Sequence, residues 1–501
     1  MDHHKLNTRN GIVKVVYCLR TAGHFPYHVS TLNALVERGA KVQIVLDEAW
    51  SKNRTTIHIE EWTKRYGQPG FLWMPVWRGF LKRDFIFGIR ELRTYASYLR
   101  RKGQSDFFRR RWLNCLPNVA RRILKLPVIG STIEKILRHP HSDWVFKSIE
   151  SFYPIPHSIL KFVKELNPDV LVASPTNLRY SSETDHIKAA KELGVRTVIP
   201  VLSWDNLTTK GLLHIVPDRV LAWNDAHREE AEAIHGIPIK NVAVTGSPFF
   251  DKWFGRHDPP RLSREQFCRR VGLDPEKPFV LYLGSTEAIA ADESWIISEL
   301  RDSLRIQSEN ELSALQVLIR PHPSHHQIFN KVLSPHVAIW PKDNGPLGLA
   351  VPEQEDELED FELSVRYSIG VLGLNTSAMI DALAIGKPVI SFLARDYQQT
   401  MVEAQHFQHL LNSQALIIAH TIPEIVDCVR KVDLLWAQNR AASECFVRSF
   451  LRPPGGEYMT AGNAQAEAIL NLVGPSYEIQ NAGSKSEPKV ARRMADERVI
   501  D

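Results

Sequence analysis

The chain has 501 residues, of which 44% are apolar and 24% are charged. This length favours two or three compact domains, and the composition excludes an intrinsically disordered or fibrous protein. The net charge of +5 is unevenly spread, because residues 78–138 hold 16 lysine and arginine residues against four acidic ones, a surplus of +12 that leaves −7 for the rest.

Neither the N-terminal residues nor the cysteines indicate a secreted protein. Residues 1–10 are polar and lead straight into an apolar strand, and no run of roughly 18 apolar residues occurs anywhere. The cysteines lack the spacing of a disulfide framework or a metal site, and they are Cys18, Cys115, Cys268, Cys428 and Cys445. A sparse, odd number of cysteines fits a reducing compartment. We therefore expect a cytoplasmic protein whose membrane contact, where it occurs, is peripheral and on the inner face of the membrane.

The first half of the chain begins as a strand–helix–strand unit. A buried strand is predicted at Lys14–Leu19, a helix from about Tyr27 to Arg38, and a second strand at Val42–Leu46. The strands are continuous apolar runs, as expected for parallel strands covered on both faces. Further strands are predicted at Val170–Ser174, Thr197–Leu202, Arg219–Trp223 and Val242–Gly246.

A second series of strands follows a polar break near residue 255. These strands are predicted at Phe279–Gly284, Gln316–Arg320, Val337–Trp340, Ile369–Gly373, Pro388–Phe392 and Ala415–Ile418. Strands alternating with helices in both halves predict an α/β protein with two Rossmann-like, doubly wound domains that face each other across a cleft. We expect an N-terminal acceptor domain at 11–254, with a basic helical insertion at about 78–140, and a C-terminal nucleotide-donor domain at 255–473. Residues 475–501 are predicted to be a disordered tail.

The first candidate motif is the sequence Thr-Ala-Gly-His-Phe-Pro at residues 21–26, on the turn after the first strand. An imidazole at the carboxyl end of a strand can reach a cleft as a general base, although a loop histidine can also simply cap a helix. Together with the Gly-Ala-Lys-Val before the second strand, this motif resembles the opening of GT-B glycosyltransferases. That resemblance implies that His24 deprotonates the acceptor hydroxyl.

The second motif, at residues 202–211, follows the strand Thr197–Leu202 and contains Trp204, Asp205 and Asn206. These side chains suit stacking on a sugar and hydrogen bonding to it, while the alternative is a turn that caps the next segment. Similar Ser-Trp-Asp-Asn-Leu-Thr sequences occur in GT-B-like proteins of bacterial surface-polysaccharide synthesis. Asp205 is a candidate catalytic residue beside His24, and Trp204 and Asn206 are candidates for positioning the substrate.

Two motifs of the second half suit phosphate groups. Gly284, Ser285 and Thr286 end the strand Phe279–Gly284, where backbone N–H groups can hold phosphate oxygens or where small residues serve packing alone. Arg320 and His322 stand in Arg-Pro-His-Pro, in which the prolines restrict the backbone. The latter segment resembles CDP-glycerol glycerophosphotransferases and UDP-N-acetylglucosamine 2-epimerases.

The fifth motif places Asn375, Thr376 and Ser377 where a strand gives way to a helix, with Asp381 one turn further on. Hydroxyls, free N–H groups and the positive end of the helix dipole favour an anion here. Asp381 could accept hydrogen bonds from ribose hydroxyls. This block resembles the donor-nucleotide site of the GT-B superfamily.

Taken together, the resemblance to GT-B proteins of surface or capsular polysaccharide synthesis covers roughly residues 11–60 and 150–473. It implies an inverting, metal-independent glycosyltransferase that moves a sugar from a nucleotide-sugar co-substrate to a polysaccharide or lipid-linked acceptor. No cofactor is expected. A nucleotide-sugar 2-epimerase, a CDP-polyol phosphotransferase and a non-catalytic nucleotide-sugar-binding partner are the alternatives. The pair of glutamates typical of many retaining GT-B enzymes is missing near Asn375 and Asp381, which favours inversion.

The basic segment at 78–138 interleaves its charges with Phe80, Phe85, Phe87, Trp112, Leu113, Ile123 and Leu124. This composition suits contact with an anionic membrane or a lipid-linked acceptor, and a solvated helical insertion is the alternative. No nucleic-acid-binding motif accompanies the charges, so no nucleic-acid partner is expected.

Overall fold

The computed structural model describes residues 11–52, 54–75, 80–101, 105–255, 259–306, 314–342, 355–456 and 459–474. The predicted tail at 475–501 lies outside the described residues, as do Arg78 and Lys102 of the basic segment. No described helix is long and apolar enough to span a membrane.

Two separate sheets, both entirely parallel, form the centre of the molecule. The first consists of β1 (Lys14–Leu19), β2 (Lys41–Leu46), β3 (Leu72–Trp73), β4 (Val170–Ser174), β5 (Arg196–Pro200), β6 (Arg219–Ala222) and β7 (Val242–Val244). The second consists of β8 (Phe279–Leu283), β9 (Gln316–Arg320), β10 (Val337–Ile339), β11 (Val371–Gly373), β12 (Val389–Phe392) and β13 (Ile417–Ala419).

The strand orders are β3-β2-β1-β4-β5-β6-β7 and β10-β9-β8-β11-β12-β13. In each sheet the first strand lies centrally and the order reverses beside it, which is the doubly wound Rossmann pattern. The predicted fold class is therefore confirmed. The reversal lies between β1 and β4 in the first sheet and between β8 and β11 in the second, and ligands of such sheets bind outside the carboxyl ends at these positions.

Helices cover the first sheet on both faces. They are α1 (Val29–Glu37), α2 (Glu48–Ser51), α3 (Ile57–Arg65), α9 (His157–Leu166), α10 (Glu183–Glu192), α11 (Asn206–Thr209) and α12 (Asp225–His235), and five more, α4 to α8, lie between β3 and α9. Tyr17 and Leu19 of β1 lie in one core cluster while Val16 and Cys18 lie in another, so β1 is buried from both sides. This burial explains the continuous apolar runs.

The second sheet carries α13 (Arg264–Val271), α14 (Ser294–Ile306), α15 (Glu355–Tyr367), α16 (Ser377–Ile385), α17 (Gln405–Asn412), α18 (Ile422–Arg430) and α19 (Val432–Phe446). The chain then returns to the first sheet, because α20 (Ala461–Leu470) packs on α1. Thr31 of α1 donates a hydrogen bond to Gln465 of α20 at 2.8 Å. The division of the chain at residue 255 stays a prediction, with the addition that this last helix lies against the N-terminal sheet.

Gly246 marks the place where the returning chain crosses the end of β7. Its φ is +74°, and a Cβ atom there would lie 2.7 Å from the nitrogen of Pro453. The N–H of the next residue, Ser247, donates to the carbonyl of Leu451 at 2.8 Å. Only glycine fits both the left-handed backbone and the close approach.

The helices between β3 and α9 are α4 (Phe80–Arg100), α5 (Asp106–Cys115), α6 (Asn118–Leu124), α7 (Pro127–Arg138) and α8 (His141–Phe152). Part of the basic charge of this segment points inwards. The guanidinium of Arg90 lies 2.7 Å from a carboxylate oxygen of Glu150 and 2.7 Å from one of Asp185, and all three side chains are at most 5% exposed. Phe87 and Trp112 are also buried. Their place among the basic residues had suggested that they contact a membrane.

Candidate functional site

The carboxyl ends of the two sheets meet at a set of contacts between domains. Trp253, at the end of a 3₁₀ helix after β7, donates from Nε1 to Oδ1 of Asp381 on α16 at 2.6 Å. Trp204, after β5, packs edge-on against His406 of α17 with ring centroids 4.7 Å apart. We take the region between these contacts as the candidate site, because loops that follow strands of both sheets converge there. The loops of each sheet form one wall of this site.

His24 lies within a 3₁₀ helix, Ala22–Tyr27, directly after β1 and therefore at the strand-order reversal of the first sheet. Thr21 caps this helix by accepting a hydrogen bond from the N–H of Gly23. The His24 ring is half-buried, and its Nδ1 is buried without a hydrogen-bond partner. Burial, helped by the charges of His28 and Arg20, lowers the pKa of His24 to about 3. The imidazole is therefore neutral at physiological pH, and it is a weaker base than an exposed histidine.

Asp205 stands at the start of α11 and is held by its own loop. Its carboxylate accepts hydrogen bonds from the hydroxyls of Ser203 and, at 3.1 Å, Thr209, and it forms an ion pair with Lys210 at 2.9 Å. Burial alone would raise the pKa of Asp205, but the charges of Lys210 and His406 and the Ser203 hydrogen bond outweigh it and hold the pKa low. The group is thus an ionised carboxylate that fixes the loop and brings Lys210 to the cleft.

Trp204 and Asn206 are both buried in this loop. Trp204 is 5% exposed and contacts His406 and Phe407 of the other domain. Asn206 accepts a hydrogen bond from the N–H of Ser203 at 2.7 Å. Both side chains shape the loop in this structure, and their contact with a substrate stays a prediction.

The Gly-Ser-Thr turn follows β8, at the strand-order reversal of the second sheet. A Cβ atom on Gly284 would lie 3.0 Å from the nitrogen of His322, so the close packing of the two loops favours glycine there. The N–H of Ser285 donates to the carboxyl of Glu293 at 2.5 Å and is therefore already engaged. Burial raises the pKa of Glu293 to about 7, although hydrogen bonds from Ser285 and Tyr282 act in the opposite direction. Thr286 is half-buried and accepts two backbone hydrogen bonds through its carbonyl.

Arg320 and His322 follow β9, the neighbour of β8. Nη1 of Arg320 donates to the hydroxyl of Ser364 at 3.2 Å, and its guanidinium lies 5.3 Å from the ring centroid of Phe361. Both partners belong to α15. His322 is half-buried, and burial, with the charge of His325, lowers its pKa to about 4. The predicted role of Arg320 and His322 in holding a diphosphate stays a prediction.

The N-terminus of α16 has the features of an anion site. Thr376 caps the helix through its hydroxyl, which accepts from the N–H of Ala378 at 3.5 Å, and Ser377 is exposed at the first helical position. Asn375 is 4% exposed, and its amide nitrogen is buried without a partner. The positive, N-terminal end of the helix dipole therefore lies beside the exposed Ser377.

Lys252, which the sequence patterns did not indicate, lies beside α16. Its ammonium is 3.9 Å from Oδ1 of Asp381 and lies over the ring of Phe249, 3.4 Å from the centroid. Burial lowers the pKa of Lys252 to about 8, although the charge of Asp381 acts in the opposite direction. The ring of Phe249 in turn stacks on Tyr27, 4.6 Å away, so Lys252 stands between the His24 loop and α16. Its position shortly after β7 is the signal that could have found it.

Asp381 is 6% exposed and contacts Trp253 and Lys252 of the opposite wall. Burial raises the pKa of Asp381, while Lys252 and the hydrogen bond of Trp253 oppose that shift. The carboxyl thus joins the two domains in this structure, and its predicted contact with ribose stays a prediction.

We predict that Trp253→Phe lowers the free energy of unfolding by about 2 kcal/mol, because it removes a buried hydrogen bond to a carboxyl group. Urea unfolding measures this change. Trp62→Phe is the matched control, since Trp62 is equally buried and its Nε1 donates to the neutral amide of Asn33 at 2.8 Å. An effect of Trp253→Phe no larger than that of the control would show that the contact between the domains adds no more stability than a neutral hydrogen bond within one domain.

Among the described residues, no group of three or more histidine, cysteine, aspartate or glutamate side chains could hold a metal ion. All five cysteines are free.

No protein-family model matches the sequence, and no curated protein matches it. Solved structures match most of the chain. A UDP-GlcNAc 2-epimerase from Neisseria meningitidis bound to UDP-GlcNAc is 11% identical over 92% of this chain and 99% of that chain, with a TM-score of 0.49. The S. aureus MnaA–UDP structure is 10% identical over 92% and 96%, with a TM-score of 0.48. A glycosyltransferase from Rickettsia africae ESF-5 is 11% identical over 94% and 100%, with a TM-score of 0.46. The fold assignment rests on the strand orders given above.

Proposed function

We propose that the protein is an inverting glycosyltransferase that moves a sugar from a nucleotide-sugar donor to a polysaccharide or lipid-linked acceptor of the cell envelope. The observation that carries this proposal is the position of Lys252, whose ammonium contacts Asp381 of α16 and lies over the ring of Phe249, which stacks on Tyr27 of the His24 helix. We assign Lys252 to the diphosphate of the donor and His24 to the proton that the acceptor releases.

In this proposal, His24 takes the proton of the acceptor hydroxyl, and the hydroxyl oxygen attacks the anomeric carbon of the donor sugar. The bond between that carbon and the diphosphate oxygen breaks on the opposite face, so the configuration inverts. The leaving diphosphate keeps the bonding electrons, and Lys252 and the N–H groups of α16 stabilise its added charge. Donor contacts from Gly284, Ser285, Thr286, Arg320 and His322 remain part of the proposal.

Thermal unfolding in the presence of UDP, GDP, CMP, CDP and dTDP tests the donor site without an acceptor. A nucleotide at 100 times its dissociation constant stabilises a folded protein by about 2.7 kcal/mol. We expect one of these nucleotides to raise the melting temperature. No stabilisation by any of them would contradict the proposal.

Lys252→Met is expected to weaken binding of the stabilising nucleotide diphosphate by about 10- to 100-fold, the usual worth of a hydrogen bond to a charged group. Because the pKa of Lys252 lies near 8, the affinity of the unsubstituted protein should fall as the pH rises through 8 and the ammonium loses its proton. Isothermal titration at pH 7 and pH 9 measures both effects. Lys240→Met, at an exposed lysine of the same domain, should change neither. Equal affinities for the Lys252 and Lys240 variants would place the diphosphate elsewhere.

Three alternatives remain, and two assays separate them from the transferase. Incubation with a nucleotide sugar and no acceptor should leave the donor sugar unchanged, whereas a 2-epimerase would give a new epimer. When an acceptor is added, the transferase should form a product, whereas a non-catalytic partner would bind the donor without turnover. A CDP-polyol phosphotransferase would transfer a phosphate together with the polyol, which phosphorus analysis of the product detects.

We also propose that the protein works in the cytoplasm, at the inner face of an anionic membrane, through its basic segment at 78–138. The charge surplus of that segment supports this placement. Such contact would bring a lipid-linked acceptor to the cleft.

A further inference from the structure

The helices α6, α7 and α8 carry large apolar side chains in contact with solvent. The most exposed are Val119, Val128, Ile129, Ile136, Trp144 and Phe152, and we call these six residues the apolar face. Phe152 is 87% exposed, Val128 78% and Trp144 69%. Single exposed apolar residues are normal on a soluble protein, but six on three consecutive helices mark an interaction surface.

Four of these residues form two pairs, each on one side of a helix. Val128 and Ile136 are two helical turns apart on α7, and Trp144 and Phe152 are two turns apart on α8. Residues at such intervals share one side of a helix. The opposite sides of these helices are packed, because Leu137 and Phe146 are buried.

Exposed basic side chains outnumber acidic ones on the helices that carry the apolar face. The exposed basic residues of α6 to α8 are Arg122, Lys125, Lys135, Arg138 and Lys147. Each of the three acidic residues between 118 and 152 contacts a buried partner, and two of them also pair with the exposed Arg138 and Lys147. Glu134 accepts from the hydroxyl of Tyr95 at 2.5 Å, Asp143 pairs with Arg93 at 2.9 Å, and Glu150 pairs with Arg90.

We propose that the apolar face and its basic border dock on an anionic lipid bilayer, with Trp144 and Phe152 inserted into the headgroup region. Apolar side chains bordered by lysine and arginine are what binds a helix to an anionic interface, and the charge complementarity selects this partner. This proposal rests on the membrane contact proposed above, but it assigns that contact to α6, α7 and α8 and not to the whole basic segment. Trp144 and Phe152 lie beyond residue 138, and buried Arg90 and Arg93 take no part.

The docking helices are joined to the candidate site through α4. The hydroxyl of Tyr98, near the end of α4, donates to the carbonyls of Thr208 and Lys210 at 3.1 and 3.0 Å, and the guanidinium of Arg101 donates to the carbonyl of Thr208 at 2.6 Å. Thr208 and Lys210 belong to the loop that contains Asp205. A bilayer bound at the apolar face would therefore sit at a fixed position relative to the cleft, as a lipid-linked acceptor requires.

Co-sedimentation of the full-length protein with vesicles tests the proposal. We expect binding to vesicles of equal parts phosphatidylcholine and phosphatidylglycerol, weaker binding in high salt, and little binding to phosphatidylcholine alone. Trp144→Ser with Phe152→Ser should weaken binding by about 100-fold or more. Lys135→Gln with Arg138→Gln should weaken it by about 30-fold, and only for the anionic vesicles. Leu434→Ser is the matched control, because Leu434 is 60% exposed and lies in the other domain. This variant should bind anionic vesicles as tightly as the unsubstituted protein.

The substituted residues are exposed, so each variant should melt at the temperature of the parent and bind nucleotide normally. No binding to anionic vesicles, or equal binding by the double variants and the control, would overturn the proposal. Self-association that Trp144→Ser abolishes, seen by analytical ultracentrifugation without vesicles, would make the apolar face a contact between copies of the chain and would also overturn it. Nucleotide binding without vesicle binding would refute the docking surface alone, and vesicle binding without nucleotide binding would refute the transferase.

Discussion

His24→Ala should reduce turnover by about 10²- to 10⁴-fold, the usual contribution of a general base, while leaving nucleotide binding intact. The reason lies in the position of His24, which follows β1 at the strand-order reversal of the first sheet and has a buried, unpartnered Nδ1. Transfer rates under saturating donor, with isothermal titration of the nucleotide, measure the two quantities separately. His24→Gln should be equally inactive, because glutamine keeps hydrogen bonding but cannot take the proton.

The pH dependence gives a second measurement on the same residue. Since burial lowers the pKa of His24 to about 3, its base form is fully present from neutral pH down to about pH 4, and the rate should show no histidine inflection near pH 6.5. His141→Ala, at an exposed histidine, should have the parent's rate. If His24→Ala kept the parent's rate while Lys252→Met lost nucleotide affinity, the base would be another residue and the donor site would stand.

Arg90→Met should lower the free energy of unfolding by about 3–5 kcal/mol, because it leaves the buried carboxylates of Glu150 and Asp185 without their shared partner. Burial would raise the pKa of Glu150, but the hydrogen bond and charge of Arg90 outweigh it and hold the pKa below its ordinary value of 4.5. The stability from this pair is therefore present above pH 4.5 and is lost as the pH falls through the lower pKa of the folded state.

Urea unfolding at pH 7 and pH 4 measures the effect of Arg90→Met, which should be smaller at the lower pH. Arg138→Met is the control, since Arg138 is 48% exposed and lies 3.9 Å from Glu134, so its loss should cost at most about 1 kcal/mol. Similar losses from the two variants would mean that the inward-pointing ion pairs do not hold the helices α4 to α8 on the first sheet.

The strands were predictable because parallel strands buried on both faces appear in the sequence as uninterrupted apolar runs. Val170–Ser174 and Gln316–Arg320 are found where the runs predict them. The short edge strand Leu72–Trp73 was missed, since it has two residues and both are exposed. No local pattern distinguishes such a strand from a loop.

The site was less predictable, because its contacts join residues far apart in the chain. The motif around Asn375 could be recognised as a helix start, whereas the bond from Trp253 to Asp381 spans 128 residues and follows only from the packing of the two domains. The same holds for the basic segment. Arg90 and Arg138 are both arginines of the same basic segment, yet Arg90 lies in the interior and Arg138 in solvent. Arg90 is buried because Glu150 and Asp185 lie beside it, and their positions follow only from the folded structure.

The packing of α20 on α1 affects the order in which the domains can fold during synthesis. The ribosome synthesises residues 461–470 after all strands of both sheets. The hydrogen bond between Thr31 and Gln465 can therefore form only after the second domain has been synthesised. Until then, the side of α1 that faces α20 has no cover, and the nascent chain presents an apolar surface that chaperones can bind. Folding of the first domain during translation would thus be completed only near the end of synthesis.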